Sequence, residues 1–240
     1  MPKRLVILPT YNEAENVKVL IPRIFKHIED CTVLVIDDGS PDGTAEIAKE
    51  LANRFPNLEV INQGKKGGLG SAYRFGFLWG LSRGYEDLVE MDADLSHRVR
   101  DLSNLLEMKD RLDADLVIGS RWISGGEIQN WSKGRELLSR LANRYVRMVL
   151  NLHINDSTSG FRVYSSELMK KIDIASIRSE GYCFQIEMTR AARKAGGKIV
   201  EVPITFRERE RGVSKMSKAI VFEAMALVTI WGLKRVLRSR

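Results

Sequence analysis

Residues 88–97 read Leu-Val-Glu-Met-Asp-Ala-Asp-Leu-Ser-His, a short apolar run that leads into two carboxylates two residues apart. On an extended segment, residues i and i+2 point the same way, so Asp92 and Asp94 can offer their oxygens to one hard cation. Mg²⁺ and Mn²⁺ prefer such oxygens and often complete their coordination with substrate phosphates. The pattern therefore indicates chemistry on a nucleoside diphosphate, with a solvated acidic turn as the alternative.

Short runs rich in apolar residues occur before and after this stretch, at 5–8, 33–36, 58–61 and 116–118. Segments with helical spacing near 14–28, 44–53, 70–82 and 100–112 separate them. This alternation predicts an α/β fold, with right-handed βαβ crossovers and a mostly parallel sheet flanked by helices. Ligands of such sheets bind outside the carboxyl ends of the strands. Polar clusters fall there, at 9–13, 37–40, 92–94 and 119–121.

Composition limits the class of protein. The chain has 240 residues, of which 44% are hydrophobic and 29% charged, as in one large globular domain. Cys31 and Cys183 lie far apart, which argues against a disulfide framework or a zinc site. The first apolar run is too short for the core of a signal peptide, so a cytoplasmic location is predicted.

The net charge of +7 fits a phosphate-rich partner, either a nucleic acid, an anionic lipid or a phosphorylated substrate. Nucleic-acid recognition motifs are missing from the sequence, and the acidic clusters would repel nucleic-acid phosphates unless a cation intervened. We therefore expect no nucleic-acid partner.

The last part of the chain predicts a helix over 137–152, then a less regular region, a helix near 183–195 and a strand over 199–203. A mobile basic loop over 207–218 and a C-terminal helix are predicted to follow. The apolar stretch 219–236 is interrupted by Glu223 and is too short to span a membrane. Because Trp231 and several basic residues follow the interruption, the helix is predicted to lie on a membrane surface. A helix that packs on the domain is an equal alternative, and both can hold for different faces. We expect a domain over 1–218 and this amphipathic helix over 219–240.

Two local patterns allow more than one interpretation. The glycine-rich stretch 64–72 has neither P-loop nor dinucleotide-binding spacing, so it predicts a tight turn near a ligand. Asp37 and Asp38 end a predicted strand, and one of them could accept hydrogen bonds from a nucleobase or ribose. Capping and turn roles are an even alternative for this region.

Several of these segments, taken together, resemble one family. They are Pro9-Thr-Tyr-Asn-Glu13, Val35-Ile-Asp-Asp-Gly-Ser-Pro-Asp-Gly-Thr44, Gly68-Leu-Gly-Ser-Ala-Tyr73, Met91-Asp-Ala-Asp-Leu-Ser-His97, Gly119-Ser-Arg121, Asp156-Ser-Thr-Ser-Gly-Phe-Arg162, Glu180-Gly-Tyr-Cys-Phe-Gln-Ile-Glu187 and Arg209-x-x-Gly-x-Ser-Lys215. Their residues and order are similar to those of dolichol-phosphate mannosyltransferases, which are inverting glycosyltransferases of the GT-A (Rossmann-like) fold. The resemblance extends from residue 4 to about residue 218.

The resemblance implies transfer of mannose from GDP-mannose to dolichyl or another polyprenyl phosphate, with inversion. A related transferase that uses UDP-glucose and the same acceptor is the alternative. By motif, the nucleoside and diphosphate would contact Pro9, Tyr11, Glu13, Ile36, Asp38, Asp92, Ala93, Asp94, Arg209 and Lys215. The acceptor phosphate would meet Arg121, Arg135 and Ser139, and catalysis would rest on Asp94, Arg121 and Arg135.

The resemblance also implies a metal cofactor, Mg²⁺ or Mn²⁺, held by Asp92, Asp94 and Ser96. The chain departs from the family pattern directly afterwards, because Arg98-Val99-Arg100 stands where relatives often have prolines. This departure leaves the role of His97 and the third protein ligand open. The implied location is the cytoplasmic face of a membrane, to which the C-terminal helix or a small membrane-anchoring subunit would attach the protein.

Overall fold

The computed structural model describes residues 3–28, 30–209 and 218–238. The strands of its main sheet are β1 Arg4–Thr10, β2 Cys31–Asp37, β3 Leu58–Asn62, β4 Asp87–Glu90, β5 Leu116–Ser120, β7 Arg162–Ser165 and β8 Ile199–Pro203. They lie in the order β3-β2-β1-β4-β7-β5-β8, and β7 alone among them runs antiparallel to its neighbours. Two further strands, β6 Glu127–Gln129 and β9 Thr205–Arg207, pair as a separate parallel ribbon. The predicted α/β class, with its mostly parallel sheet, is confirmed.

Helices alternate with the first five strands, as predicted. The described helices are α1 Ala14–His27, α2 Thr44–Ala52, α3 Leu69–Ser82, α4 Val99–Leu112, α5 Lys133–Leu150, α6 Ser166–Lys171, α7 Gly181–Lys194 and α8 Lys218–Arg238. The first four begin and end within one residue of the predicted bounds. Their apolar residues recur at helical spacing, which fixes the face that each helix turns to the sheet.

The helices cover both faces of the sheet because alternate strand residues point to opposite sides. Val6 and Leu8 of β1 belong to one buried cluster, which includes Val17, Ala48 and Leu102 of helices α1, α2 and α4. Leu5 and Ile7 belong to a second cluster, which includes Phe77, Leu168 and Met188 of helices α3, α6 and α7. The sheet is thus the middle layer of three.

Strand β7 is not predicted from the sequence, which shows no regular pattern between residue 152 and the helix predicted near 183. The strand has only four residues, and Arg162 interrupts its apolar pattern although the side chain is fully buried. The Arg162 guanidinium donates five hydrogen bonds, three of them to the backbone carbonyls of Ser157, Ser159 and Gln185. A buried charge that is satisfied in this way cannot be recognised from hydropathy.

Helices α5 and α8 form an additional layer at the end of the molecule that carries α7. Val146 and Val228 are buried between them, and the hydroxyl groups of Tyr145 and Thr229 lie 2.7 Å apart. The expectation that the C-terminal helix packs on the domain is therefore confirmed for this face. Among the described residues, no helix combines the length and the apolar character needed to cross a membrane.

Candidate active site

The predicted polar clusters lie at one edge of the sheet, where the parallel strands end. The β1–β2 register places Pro9 beside Ile36 and Thr10 beside Asp37. The backbone N–H of Asp38 donates to the Thr10 carbonyl at 3.0 Å, which ties the two strand ends together. The segments after β4 and β5 leave the sheet at the same edge, as expected for strands that run in the same direction.

Asp37 and Asp38 have different surroundings. Asp37 is used within the protein, since it accepts hydrogen bonds from the backbone N–H of Ser40 at 2.8 Å and from the Thr10 hydroxyl at 2.9 Å. Asp38 uses only one oxygen in this way: Oδ2 accepts from the backbone N–H groups of Gly67 and Gly68 at 3.1 and 2.9 Å. Its buried Oδ1 has no hydrogen-bond partner among the residues that the structure describes. Of the two aspartates, Asp38 is the one equipped to accept from a ligand.

The other residues that are predicted to contact the nucleoside lie at or just after the same strand ends. Tyr11 and Pro9 are half-buried, and the Lys66 Nζ lies 4.3 Å from the centre of the Tyr11 ring. Glu13 is buried, and its carboxylate accepts a hydrogen bond from Asn16 Nδ2 at 2.6 Å. No sequence motif marks Lys66, whose cation covers an aromatic face on which a flat ring could also stack.

The Asp92-Ala93-Asp94 segment follows β4 directly. Asp94 is almost buried, and its Oδ1 accepts the Ser96 backbone N–H at 3.0 Å. Its Oδ2 lies 3.0 Å from Arg209 Nη2. Asp92 is more open, with 35% of its side chain exposed, and its Oδ2 lies 3.5 Å from His97 Nε2. The pair therefore offers carboxylate oxygens both to the interior and to the open edge.

These residues fit a hard cation. In the described part of the chain, His, Cys, Asp and Glu side chains form no cluster of three or more that could hold a metal. Two carboxylates are nevertheless a sufficient protein share for Mg²⁺ or Mn²⁺ when substrate phosphates complete the set. The buried Ser96 Oγ has no partner among the described residues, and the Arg209 guanidinium already brings a positive charge to Asp94.

His97 lies against this site as a buried ring. It stacks on Phe161 at 4.6 Å between ring centroids and meets Phe206 edge-on at 5.3 Å. Neither ring nitrogen has a hydrogen-bond partner among the described residues. The sequence had left the role of His97 open, and its one polar neighbour given by the structure is Asp92.

Arg121 is buried and held by Asp156. The guanidinium donates through Nε and Nη2 to the two Asp156 oxygens, both at 2.7 Å, and the Arg121 backbone N–H donates to Asp156 Oδ2 at 3.0 Å. Burial disfavours the charged form of both groups, but the attraction and hydrogen bonds between them have the larger effect. The pKa of Asp156 is therefore lowered from 3.8, and the pKa of Arg121 is raised. Nη1 makes no hydrogen bond to a described residue, which leaves one edge of the fork for a ligand.

Arg135 lines an apolar groove between α5 and α8. Its guanidinium lies 4.0 Å from the centre of the Trp131 ring, and Nη1 lies 2.5 Å from Glu208 Oε1. The lining of the groove changes from polar to apolar along its length; its residues are Trp131, Arg135, Leu138, Ser139, Ala142, Val146, Thr158, Tyr182, Ile186, Ala224, Met225 and Val228. Burial raises the pKa of Tyr182, and Arg121 and Arg135 oppose that shift. The structure thus brings two predicted acceptor residues, Arg135 and Ser139, to one end of an apolar channel.

Sequence reasoning missed several residues that support or complete the site. Asp156 was quoted only as part of a motif, although it holds Arg121. Tyr182, Lys66 and Glu208 were given no role. Motifs or the glycine-rich stretch include Asp156, Tyr182 and Lys66, but the groups that these side chains contact depend on how distant segments fold together, which no local pattern shows. Lys215, with residues 210–217 of the predicted mobile loop, lies outside the described residues.

Comparisons with known proteins agree with this picture. The family model described as "Glycosyl transferase family 2" matches residues 5–173. The polyprenol monophosphomannose synthase of Mycolicibacterium smegmatis is 50% identical over 99% of this chain and 90% of its own length. The undecaprenyl-phosphate mannosyltransferase of Micrococcus luteus is 48% identical over 95% of this chain and 93% of its own length.

Solved structures share the fold at low sequence identity. Glucosyl-3-phosphoglycerate synthase of Mycobacterium tuberculosis superposes with a TM-score of 0.70 at 18% identity, over 96% of this chain and 80% of that one. A mannosyltransferase of Pyrobaculum calidifontis, solved in complex with GDP-Man and Mn²⁺, gives a TM-score of 0.59 at 18% identity, over 99% and 64% of the two chains. The GT-A-like architecture expected from the sequence is confirmed.

Proposed function

The chain belongs to glycosyl transferase family 2, and from that membership we propose that it transfers mannose from GDP-mannose to a polyprenyl phosphate. The products would be polyprenyl β-mannosyl phosphate and GDP. The names of the two curated relatives, both close to half identical over nearly the whole chain, support this activity. The observation that carries the proposal is the apolar groove that opens at Arg135 and Ser139.

The groove matches the acceptor's two-part chemistry. A polyprenyl phosphate joins a charged headgroup to a long branched hydrocarbon. Arg135 and the open edge of Arg121 supply guanidinium donors, which bind phosphate oxygens in a planar fork. Beyond them the lining becomes apolar, with Leu138, Val146 and Val228 along it. Burial of isoprene units there would contribute about 25 cal/mol for each Å² of apolar surface removed from water.

We place the donor site on the side of Asp92 and Asp94 that is opposite to the acceptor groove. Asp38 Oδ1 would accept from the nucleoside, with Pro9, Tyr11, Glu13 and Ile36 around it. Arg209, which stands beside Asp94, would turn to the diphosphate, and Lys215 would join it. Asp92, Asp94 and Ser96 would hold Mg²⁺ or Mn²⁺, which would neutralise the charge that develops on the diphosphate when the sugar leaves.

The reaction needs alignment more than it needs a base. A phosphate monoester has a second pKa of about 6, so at neutral pH its oxygen is already a competent nucleophile. The protein's task is to hold that oxygen in line with the anomeric carbon and to stabilise the departing GDP. Arg121 and Arg135 approach from the acceptor side and Arg209 from the donor side. Attack from the face opposite GDP would invert the anomeric carbon.

The activity can be tested with radiolabelled GDP-mannose, Mg²⁺ and two acceptors, undecaprenyl phosphate and farnesyl phosphate. We expect label to enter the lipid product with both acceptors and to stop entering it when EDTA is added. The groove adds a sharper expectation: Ala142→Trp would fill it and reduce transfer to the long acceptor by about tenfold or more, and transfer to the short one by less. Leu78→Trp, which places the same large side chain at an exposed position of α3, away from the groove and from the outer face of α5 and α8, is the control.

The outcomes separate the competing assignments. Label transferred from UDP-glucose and none from GDP-mannose would contradict the mannosyl donor and favour the alternative transferase. Equal loss with both acceptors in Ala142→Trp would contradict the groove assignment.

We further propose that the outer face of α5 and α8 meets a membrane. On α5 the exposed residues Leu137, Leu141 and Met148 lie opposite the buried side, and on α8 Ile230, Leu233 and Leu237 do so. Beside them runs a basic groove, formed by Arg190, Arg193 and Lys194 of α7 with Trp231, Lys234 and Arg235 of α8. Apolar residues next to cations and a tryptophan suit the interface of an anionic bilayer.

Membrane docking predicts a charge-dependent result. Replacing Lys194, Lys234 and Arg235 together by glutamine should weaken partitioning to vesicles that contain about 30% phosphatidylglycerol by at least about tenfold, since each basic residue near such a surface contributes about 1 kcal/mol. Co-sedimentation measures it. The control removes three exposed cations from the opposite side of the molecule, as Lys26→Gln, Lys49→Gln and Arg54→Gln together, and should bind like the wild type. If the wild-type chain does not co-sediment with these vesicles, direct docking is wrong, and a small membrane-anchoring subunit becomes the better proposal.

A further inference from the structure

Two consecutive side chains after β9 reach opposite halves of the site. Glu208 pairs with Arg135, the proposed acceptor arginine, at 2.5 Å, and Arg209 pairs with Asp94 at 3.0 Å. The backbone that leads into the pair is anchored to two different segments. The Arg207 N–H donates to the Ser96 carbonyl and the Glu208 N–H to the Gln129 carbonyl, each at 3.0 Å. The Glu208-Arg209 pair therefore spans from the acceptor arginine to the carboxylate proposed to bind metal.

Each of the two side chains carries the same sign of charge as the ligand that is proposed to bind at its position. The Glu208 carboxylate offers Arg135 an anionic oxygen, as the acceptor phosphate would. The Arg209 guanidinium offers Asp94 a positive charge, as a divalent cation would. Because the two residues are adjacent, a movement of the backbone that withdraws one side chain also displaces the other.

We propose that Glu208 controls the order of substrate binding: it blocks the acceptor phosphate until the cation and the nucleoside diphosphate have drawn Arg209 away from Asp94. The proposal rests on the proposed function. When Arg209 turns from Asp94 to the diphosphate, the segment shifts, Glu208 leaves Arg135, and the guanidinium becomes available to the acceptor. Binding of the donor therefore prepares the acceptor site, and an acceptor that binds first meets a competing carboxylate.

The strength of the Arg135–Glu208 pair suits a contact that is made and broken in each turnover. The side chains are 28% and 40% exposed, so solvent screens the pair strongly. Pairs of this exposure are typically worth a factor of about two to five in an equilibrium constant. The coupling between donor and acceptor should have this size, and it must be the same whichever ligand binds first.

Isothermal titration of farnesyl phosphate into the full chain tests the proposal. For the wild type, we expect binding to tighten by about two- to fivefold when GDP and Mn²⁺ are present. In Glu208→Gln, which keeps the size of the side chain but removes its charge, farnesyl phosphate should bind tightly without them, and GDP with Mn²⁺ should add little. Glu136→Gln is the matched control, because Glu136 is next to Arg135 in the chain but pairs with Arg140 at 2.8 Å. It should retain the wild-type coupling.

A general disturbance of the fold would weaken binding in every arm, so a gain of acceptor affinity together with loss of coupling is specific to the proposal. Wild-type coupling in Glu208→Gln would overturn it and leave the proposed function intact. Failure of the wild type to bind farnesyl phosphate, even with GDP and Mn²⁺, would overturn the acceptor assignment and this proposal together.

Discussion

Replacing Asp94 by alanine is expected to lower the rate of mannosyl transfer by at least about a thousandfold while the chain stays folded. Asp94 is one of two carboxylates proposed to hold the cation that faces the departing diphosphate. Without it the cation would lose a charged ligand, and the negative charge on GDP would develop with less compensation. The fold should tolerate the change, because few groups depend on this side chain. Among the described residues, the structure pairs it with the Ser96 N–H and with Arg209.

Three measurements would separate a lost cation from a damaged fold. Transfer of radiolabel gives the rate, electron paramagnetic resonance of Mn²⁺ in the presence of GDP gives the bound cation, and circular dichroism gives the melting temperature. We expect the first two to fall and the third to change little. Asp30→Ala, at an exposed position just before β2 and far from the catalytic edge, should leave all three unchanged. Near-normal turnover in Asp94→Ala would contradict the metal assignment.

The second large effect is expected from Asp156→Asn. This change keeps the size of the side chain but leaves the Arg121 charge, whose side chain is 5% exposed, without its counter-ion. Breaking a buried pair in this way typically costs about 3–5 kcal/mol of folding free energy. Transfer should fall as well, since a misplaced guanidinium presents its open edge to the acceptor less precisely. Chemical denaturation and the radiolabel assay measure the two effects.

Two comparison variants show what the ion pair does. Glu15→Gln removes one partner of the exposed Glu15–Lys18 pair and should cost less than about 1 kcal/mol. A double variant, Arg121→Met with Asp156→Leu, replaces the buried pair by apolar side chains and should recover most of the stability. It should recover no transfer, because the guanidinium proposed to bind the acceptor phosphate is gone. A double variant that regained activity would contradict the role of Arg121.

The same pair makes stability depend on pH in a predictable direction. The pKa of Asp156 lies below its ordinary value of 3.8 in the folded protein because of Arg121, so the unfolded chain binds the proton more readily. The stabilisation is fully present above the ordinary value and is lost as the pH falls through the lower, folded value. Asp156→Asn lacks this contribution, so its melting temperature should fall less steeply than that of the wild type on acidification below about pH 4.

The sequence predicted those parts of the fold that depend on local periodicity. Strands β1 and β2 and helices α1 to α4 came from apolar spacing alone, and the position of Asp92 and Asp94 at a strand end followed from it. Helix α5 was also expected, although it begins at Lys133 and not near residue 137. The Ser132 hydroxyl accepts from the Arg135 N–H and caps the helix, a polar start that hydropathy alone does not show.

Long-range contacts set the limit of that prediction. Arg162 is a fully buried cation in a strand, stabilised by carbonyl and hydroxyl groups from segments up to 27 residues away. Asp156 meets Arg121 across 35 residues, and Glu208 meets Arg135 across 73. A motif can mark that such residues belong to a site. Which of them touch depends on the order of strands in the sheet, and the antiparallel insertion of β7 was not predicted.

The position of β7 has a consequence for the protein during its synthesis. On one side of β7 lie β3, β2, β1 and β4, and on the other lie β5 and β8. In the described sheet β7 is the strand that pairs with both groups, so we expect a nascent chain that has emerged only as far as β5 to lack the hydrogen bonds that join them. Emergence of residues 162–165 from the ribosome brings the two halves into register. We therefore expect this part of the sheet to fold late, with β4 until then an open edge to which a chaperone or a neighbouring nascent chain can bind.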